Sequence, residues 1–310
     1  MSRLKIVFLW ITSLPAFVQH VLSAEEPVDQ PAKSKKYNLS VCSLFKNEAK
    51  FLKEWIEFHR LVGVDHFYLY NNGSTDHYQP VLAPYLKEGL VTLVQWPDLI
   101  REQSEETAFK WALSTQVTAY ENAAKFFAIR ESKWLTVLDV GEFLVPAQET
   151  NLAGMLEKLD EYPGVMLVSD FYDSAAVNVF PKRKLLIETV ELTNAPKQNI
   201  QKAVEKMIFK PEECVSFAWP PFKYNFRNKK EAIKINRKTL RINHYTNRKK
   251  IPWQFASPKE KIHVDNRLFS EEETNYWLEA GYEMEDQERS IQRFLPDLLI
   301  KIGYDPIKTW

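Results

Sequence analysis

Three short segments hold the polar side chains that are best suited to chemistry in this sequence. They are Lys46-Asn47-Glu48, residues 71–76 (Asn-Asn-Gly-Ser-Thr-Asp) and residues 139–142 (Asp-Val-Gly-Glu), and each follows a run of β-forming residues. Carboxylate oxygens combined with an imidazole suit Mn²⁺, and a bound diphosphate needs such a cation. With His244 as the imidazole, the first hypothesis is a divalent-metal site that serves a diphosphate.

The apolar pattern around these segments predicts strands that alternate with helices. The predicted strands are residues 38–45, 66–70, 90–95 and 134–138, and the predicted helices are residues 48–62, 76–89 and 107–129. This order is typical of an α/β domain with a mostly parallel central sheet and helices on both faces. Ligands bind beyond the carboxyl ends of the strands in such sheets, so we expect the three polar segments to meet in one cleft.

Each polar segment also has a purely structural interpretation. Residues 71–76 have the composition of a turn in which Asp76 caps the following helix, and Asp139 and Glu142 suit a cap as well. His244 taken alone is more often a structural histidine than a ligand. Three strand ends that converge on a single cleft favour a binding site over three unrelated turns.

The composition excludes several classes of protein. Lys plus Arg and Asp plus Glu both number 41, so the net charge is zero and no nucleic-acid partner is indicated. No two of the 8 glycines lie closer than ten residues, which excludes dinucleotide-binding and P-loop motifs and the nucleophile elbow of serine hydrolases. The 2 cysteines form no CxxC pair and the 6 histidines form no HExxH motif, so zinc lacks its usual ligands.

The amino terminus is predicted to lie outside the folded domain. Arg3 and Lys5 precede an apolar run over residues 6–18, and small residues follow that run, an order typical of a signal peptide. We therefore expect residues 1–24 to be a signal peptide or signal anchor that directs the chain to the secretory route, as a secreted or single-pass type II membrane protein. Residues 25–36 are charged and contain proline, which indicates a flexible stem.

Five motifs occur in order along the rest of the chain. They are VCSLFKNE with the nearby FLKEWIEFHRLVGV (residues 41–64), HFYLYNNGSTD (66–76), QVTAYEN (116–122), WLTVLDVGEFL (134–144), and His244-Tyr245 with Arg248. Together they resemble glycosyltransferase family 92 and its family 2 relatives. The resemblance covers residues 37–255, which we expect to form the transferase domain, with residues 256–310 as a C-terminal helical extension packed on it.

The resemblance implies a GT-A fold and inverting transfer of a hexose from a nucleotide sugar, UDP-linked, to an acceptor glycan hydroxyl. It also implies a divalent metal, Mn²⁺, at an Asp-x-Asp motif. The residues implied in these roles are Asn47, Glu48, Asn71, Asn72, Asp76 and Gln116 for the nucleotide and Asp139, Glu142 and His244 for the metal. Asp170 and Asp173 follow a fifth predicted strand, and by this position we expect them to supply the base that deprotonates the acceptor; the alternative is that they are loop carboxylates in solvent.

One departure from the family pattern leaves two functions open. Gly141 stands where the family usually has the second Asp of the Asp-x-Asp motif, and the loss of a carboxylate weakens a hard-cation site. Either Asp139 and Glu142 still support catalysis, or the chain is a degenerate secreted protein that binds a nucleotide or sugar. A glycoside hydrolase that uses Asp139 and Glu142 is a weaker alternative, because residues three apart on one loop rarely face each other across a gap of about 5 Å.

Overall fold

The computed structural model describes residues 34–96, 115–147, 150–173, 185–189, 206–218, 223–246 and 290–303. Apart from Ser34, these residues belong to one compact unit, Lys35–Trp310. The predicted signal segment, most of the stem and residues 256–289 of the predicted extension lie outside the described residues. Within the described ranges, no helix combines the length and the apolar character that crossing a membrane requires.

The described residues alternate between strands and helices from Tyr37 onward. Strands β1 to β12 are Tyr37–Phe45, His66–Asn71, Val91–Gln95, Ser132–Val137, Glu142–Pro146, Gly164–Leu167, Ser169–Asp173, Lys206–Phe209, Cys214–Ala218, Lys223–Phe226, Ile233–Lys234 and Leu240–Thr246. Helices α1 to α6 are Ala49–Leu61, Tyr78–Glu88, residues 115–131, Ala153–Lys158, Leu186–Thr189 and Leu295–Ile302. The predicted strands β1 to β4 and the predicted helix α1 are confirmed to within two residues at each end.

The central sheet has seven strands in the order β11-β6-β8-β4-β1-β2-β3. Strand β1 lies between β2 and β4 and is parallel to both, whereas β8 is antiparallel to its neighbours β4 and β6. The expected α/β class with a mostly parallel sheet is therefore confirmed. Because β1, β2 and β4 are adjacent and parallel, the polar segments that follow them emerge at the same edge of the sheet.

Helices cover both faces of the central sheet, as the periodicity predicts. One apolar core joins the sheet to α1, α2 and α6 through residues such as Trp55, Leu82 and Leu298, and all three side chains are fully buried. A second core on the other face joins the sheet to α3 through Ala119 and Tyr120. Helix α3 contains a π-helical turn at Ala123–Ala128, which the sequence pattern does not predict. Residues 107–114 of the predicted helix lie outside the described residues.

A second sheet of three strands, in the order β5-β12-β7, follows the turn after β4. Strand β12 pairs antiparallel with β5 and parallel with β7. The sequence pattern does not predict this sheet. It matters for the site because β12 brings His244 beside Glu142, its register partner at the start of β5.

Helix α1 completes the hydrogen bonding of β5, the edge strand of the small sheet. Trp55 Nε1 donates to the Glu142 carbonyl at 2.8 Å, and the Leu144 amide donates to His59 Nε2 at 3.2 Å. The other ring nitrogen of His59 lies 2.8 Å from the Trp55 carbonyl. Since Nε2 accepts, the neutral ring carries its proton on Nδ1 and donates it to that carbonyl. Side chains from one turn of α1 thus bond backbone groups of β5 that a neighbouring strand would otherwise bond.

The described part of the C-terminal extension packs on α1. Phe294, at the end of a 3₁₀ turn (Ser290–Phe294), contacts the ring of Phe58 with centroids 5.4 Å apart, and Leu298 of α6 is fully buried. Lys53 of α1 donates to the Ile302 carbonyl at the end of α6, with a distance of 2.8 Å. The helical character expected for this region holds for residues 290–302.

The buried ring of His59 predicts that stability falls in mild acid. Burial lowers the pKa of His59 to about 4, whereas an unfolded histidine has a pKa of about 6.5. The group binds fewer protons in the folded chain, so its stabilising contribution is complete above pH 6.5 and is lost as the pH falls towards 4. We expect about 2 kcal/mol of the free energy of unfolding to be lost through this residue between pH 7 and pH 5.

Urea unfolding of the wild type and of His59→Gln at both pH values measures this contribution. The variant should lose about 2 kcal/mol less than the wild type over the same interval. His66 is a second buried histidine with a pKa of about 4, so part of the pH dependence remains in both proteins. Equal losses in the two proteins would contradict the assignment to His59.

Candidate functional site

Asp139, Glu142 and His244 form a cluster at the carboxyl end of β4. Their ligand atoms all lie within 4.8 Å of one another. The turn between β4 and β5 is closed by the Glu142 amide, which donates to the Asp139 carbonyl at 2.9 Å. His244 Nδ1 lies 3.4 Å from Glu142 Oε1. The structure therefore brings together the three residues expected to hold a metal.

The carboxylate of Asp139 is oriented by two side chains of α3. Gln116 Nε2 donates to Asp139 Oδ1 at 3.0 Å, and the Tyr120 hydroxyl donates to the same oxygen at 3.3 Å. Gln116 also donates to the Tyr120 oxygen at 2.8 Å. Burial raises the pKa of Tyr120 well above its ordinary value, so its hydroxyl remains a donor. Gln116, expected at the nucleotide, thus contacts the metal cluster directly.

The carboxylate of Glu142 is almost completely buried and is compensated from two directions. Its Oε2 accepts from the Asp139 amide at 2.8 Å and lies 2.9 Å from Lys206 Nζ. The side chains of Lys206 and Glu142 are only 2% and 1% exposed. Burial opposes the charged form of Lys206, but the carboxylates of Glu142 and Asp139 outweigh it, so the pKa of Lys206 lies above its ordinary value. Lys206 therefore stays charged near neutral pH.

The chemistry of the cluster fits a divalent cation. Two carboxylates and an imidazole are ligands that suit Mn²⁺, and each of the three side chains has one ligand atom within reach of the other two. Lys206 offsets one of the two carboxylate charges, so the cluster has one net negative charge when His244 is neutral. Asp139 and Glu142 can hold a cation that also binds a diphosphate, whose own oxygens supply further ligands.

Gly141 lies in the turn between the two acidic residues. Its carbonyl accepts from the Tyr245 amide at 2.8 Å, which ties the turn to β12. Among the described residues, the glycines with positive φ are Gly63, Gly73, Gly89 and Gly303, and Gly141 is not one of them. A side chain at position 141 is therefore compatible with the backbone conformation.

The loops after β1 and β2 are joined by a set of hydrogen bonds centred on Asn47. Asn47 has a φ of 56°, a conformation that Asn tolerates better than most residues. Its Oδ1 accepts from the Thr75 amide at 2.8 Å, and its own amide donates to Ser74 Oγ at 2.9 Å. We call this arrangement the strand-end clasp. It holds the first two predicted polar segments against each other.

Asp76 caps α1 rather than the helix that follows it, so that part of the sequence interpretation is wrong. Its Oδ2 accepts from the Ala49 amide at 2.8 Å, in the first turn of α1. The residue that precedes α2 is His77, which makes no capping hydrogen bond with its side chain. The carboxylate reaches α1 because the strand-end clasp places residues 74–76 beside the start of that helix.

The remaining residues expected at the nucleotide are buried at the same edge of the sheet. Asn71 donates to the Tyr78 hydroxyl at 2.9 Å and to Gln95 Oε1 at 2.7 Å. Asn72 donates to the Trp96 carbonyl at 2.9 Å, and Glu48 is 1% exposed. These contacts position the strand ends. A direct contact between any of these residues and a nucleotide stays a prediction.

Asp170 lies on the opposite face of the small sheet from the metal cluster. It is the register partner of Asn243, whereas Glu142 is the register partner of His244. Neighbouring residues along a strand point to opposite faces, so Asp170 and Asn243 share one face while Glu142 and His244 share the other. Asp170, one of the two expected bases, is therefore separated from Glu142 and His244 by the sheet.

Two arginines engage the Asp170 carboxylate on that face. Arg237 Nη2 lies 2.7 Å and Arg241 Nε lies 3.2 Å from Asp170 Oδ2. These contacts favour a structural role for Asp170 over the expected role as a base. Asp173, the other expected base, ends β7 opposite Thr246, and its role stays a prediction.

Lys206 is the site residue that sequence reasoning missed. The only signal is a single lysine at the start of an otherwise apolar strand, Lys206–Phe209. Its partner Glu142 lies 64 positions earlier in the sequence, and no local pattern connects the two. Tyr120 belongs to the motif at residues 116–122, but its hydrogen bond to Asp139 forms only because α3 packs on the sheet.

The chain is an α/β protein with an acidic cluster at the carboxyl ends of parallel strands, which is where ligands bind in such sheets. Comparison with protein families matches residues 35–275 to glycosyltransferase family 92. The chain belongs to this family, so the resemblance drawn from the five motifs is confirmed.

Two curated relatives illustrate the family. A glycosyltransferase family 92 protein of Ricinus communis is 26% identical over 221 residues, which are 68% of this chain and 35% of that protein. The galactan beta-1,4-galactosyltransferase GALS3 of Arabidopsis thaliana is 33% identical over 137 residues, which are 42% of this chain and 25% of that protein. The chain thus spans about a third of the length of the first relative and a quarter of the second.

Solved structures are more distant. The Staphylococcus aureus TarS fragment 1–349 in complex with UDP has a TM-score of 0.39 and 12% identity, covering 67% of this chain and 60% of that one. The mannosyltransferase PcManGT from Pyrobaculum calidifontis, in complex with GDP-Man and Mn²⁺, has a TM-score of 0.30 and 16% identity, covering 50% and 41%. With TM-scores this low, the ligands of these two proteins say nothing about the ligands of the present chain.

The strand-end clasp predicts that the replacement of Asn47, an uncharged residue, lowers the stability of the fold strongly. Asn47→Ala removes the acceptor of the Thr75 amide and places alanine at positive φ, so we expect a loss of about 3 kcal/mol in the free energy of unfolding. Asn47→Asp keeps an oxygen acceptor at the same place and should lose about 1 kcal/mol or less. Urea unfolding measures both variants. Equal losses in the two would show that the amide oxygen does not hold the loops together.

Proposed function

We propose that the chain transfers a hexose from a nucleotide sugar, UDP-linked, to a hydroxyl of an acceptor glycan, with inversion at the anomeric carbon and with Mn²⁺ bound. The observation that carries the proposal is the cluster of Asp139, Glu142 and His244 at the carboxyl end of β4, in a chain of glycosyltransferase family 92. The galactosyltransferase named among its relatives supports a hexose as the transferred sugar.

In the proposed reaction, the cluster binds the cation beside the leaving group, and neighbouring side chains orient the ligands of the cluster. Asp139, Glu142 and His244 would hold the cation, which supplies positive charge to the departing diphosphate. Gln116 and Tyr120 fix the direction of the Asp139 carboxylate, so no reorganisation is needed when charge develops. Glu142 is held rigidly by the Asp139 amide and Lys206.

Transfer also needs a base for the acceptor hydroxyl. The hydroxyl oxygen attacks the anomeric carbon, the bond to the diphosphate oxygen breaks, and a carboxylate takes the hydroxyl proton. We assign this role to Asp173 rather than Asp170. Asp173 is the last residue of β7 and lies two residues after Phe171, the register partner of His244. Asp170 instead contacts two arginines on the face of the small sheet that is opposite to Glu142 and His244.

A second function stays open because of Gly141. A chain with one carboxylate fewer in its Asp-x-Asp motif could bind the nucleotide without turning over the sugar. The two functions differ in one observable: a degenerate binder retains UDP binding by calorimetry but releases no UDP from any nucleotide sugar. Gly141→Asp should then gain turnover, since the backbone at this position accepts a side chain.

A screen of UDP-hexoses for UDP release, with and without Mn²⁺, tests the proposed transfer. Activity should require Mn²⁺, and Asp139→Asn and Asp173→Asn should each lower the rate at least about 100-fold. Glu121→Gln is the matched control, because Glu121 is a partly exposed carboxylate of α3 that forms an ion pair with Lys125 at 3.2 Å. It should retain full activity.

Melting curves separate lost catalysis from lost folding in the variants. Folded Asp139→Asn with wild-type turnover would contradict the role of the cluster. Turnover in Asp173→Asn together with its loss in a folded Asp170→Asn would reverse the assignment of the base.

A further inference from the structure

The buried ion pair between Lys206 and Glu142 is unusual in its position. Lysine is rarely buried without a partner, and here the partner is a carboxylate of the candidate metal cluster. Lys206 starts β8 beside Leu167 of β6, so its ammonium group reaches Glu142 from the central sheet. With 2% of the side chain exposed, Lys206 is closed off from a ligand in the cleft and acts on it through Glu142.

Stability alone gives little reason for such a pair. The desolvation of two charges offsets most of their attraction, and apolar residues of similar size often stabilise a core as well or better. The pair does have a direct electrostatic effect on the cluster. It removes one unit of negative charge where a cation would bind, in a chain that already has Gly141 in place of a carboxylate.

We propose that Lys206 is a positioning residue that fixes the Glu142 carboxylate and weakens divalent-cation binding to the protein without nucleotide. The inference rests on the cation site of the proposed function. Lys206 and a cation share the same carboxylate, and like charges within a few ångströms repel each other strongly where water is excluded. The cation is then retained mainly when the oxygens of a diphosphate add their own charge to the site.

Calorimetric titration of the full chain with Mn²⁺ alone tests this role. Lys206→Met removes the charge and keeps an unbranched side chain, and it should bind Mn²⁺ at least tenfold more tightly than the wild type. Lys206→Arg keeps the charge and should bind like the wild type. Lys210→Met is the matched control, because Lys210 pairs with Asp160 at the surface, at 2.8 Å, away from the cluster.

The double variant Lys206→Met/Glu142→Gln should lose the gain in affinity, since the gain depends on the freed carboxylate. A folded Lys206→Met with unchanged or weaker Mn²⁺ binding would overturn the inference. Should Lys206→Met unfold, refolding it with and without Mn²⁺ gives the answer: recovery only with Mn²⁺ supports the inference, and failure in both conditions overturns it. No sugar donor is used, so a chain that fails the UDP-hexose screen can still pass this test.

Discussion

The burial of the Glu142 carboxylate is the constraint on which the site depends. A carboxylate that is 1% exposed must be compensated by donors or by a cation, or folding becomes very unfavourable. The compensation comes from the Asp139 amide after β4 and from Lys206 of β8, while the Glu142 backbone is held by Trp55 of α1. This one residue, through its carboxylate and its backbone carbonyl, thereby links the central sheet, the small sheet and the first helix. His244 gains its place in the cluster through the register of β12 on β5.

The polar residues of this edge divide into two groups with different duties. Asn47, Asn71 and Asp76 use their side chains to join strand ends and to cap α1, so they shape the cleft through the backbone that they hold. Asp139 and Glu142 are oriented by neighbours and are directed towards a shared point with His244. The sequence does not distinguish the two groups, because turns and metal sites use the same types of polar residue.

Local patterns were enough to predict the first half of the sheet. Strands β1 to β4 and helix α1 follow from apolar periodicity and from stops such as Gly63, and the parallel order of β1, β2 and β4 places the polar segments together. The small sheet depends on pairing between β5 and β12, about a hundred residues apart, and no local pattern encodes such a register. The face of Asp170 and the partner of Lys206 depend on that register and on long-range packing, which is why the sequence does not show on which face Asp170 lies or that Lys206 pairs with Glu142.

The central claim is that Asp139, Glu142 and His244 hold a cation that a nucleoside diphosphate also binds. A crystal structure of the full chain grown with UDP and Mn²⁺, with anomalous data collected at the manganese absorption edge, tests it most directly. The account predicts one strong anomalous peak in contact with these three side chains and with diphosphate oxygens. Bound UDP with no manganese peak at the cluster, or a peak held by other residues, would contradict it.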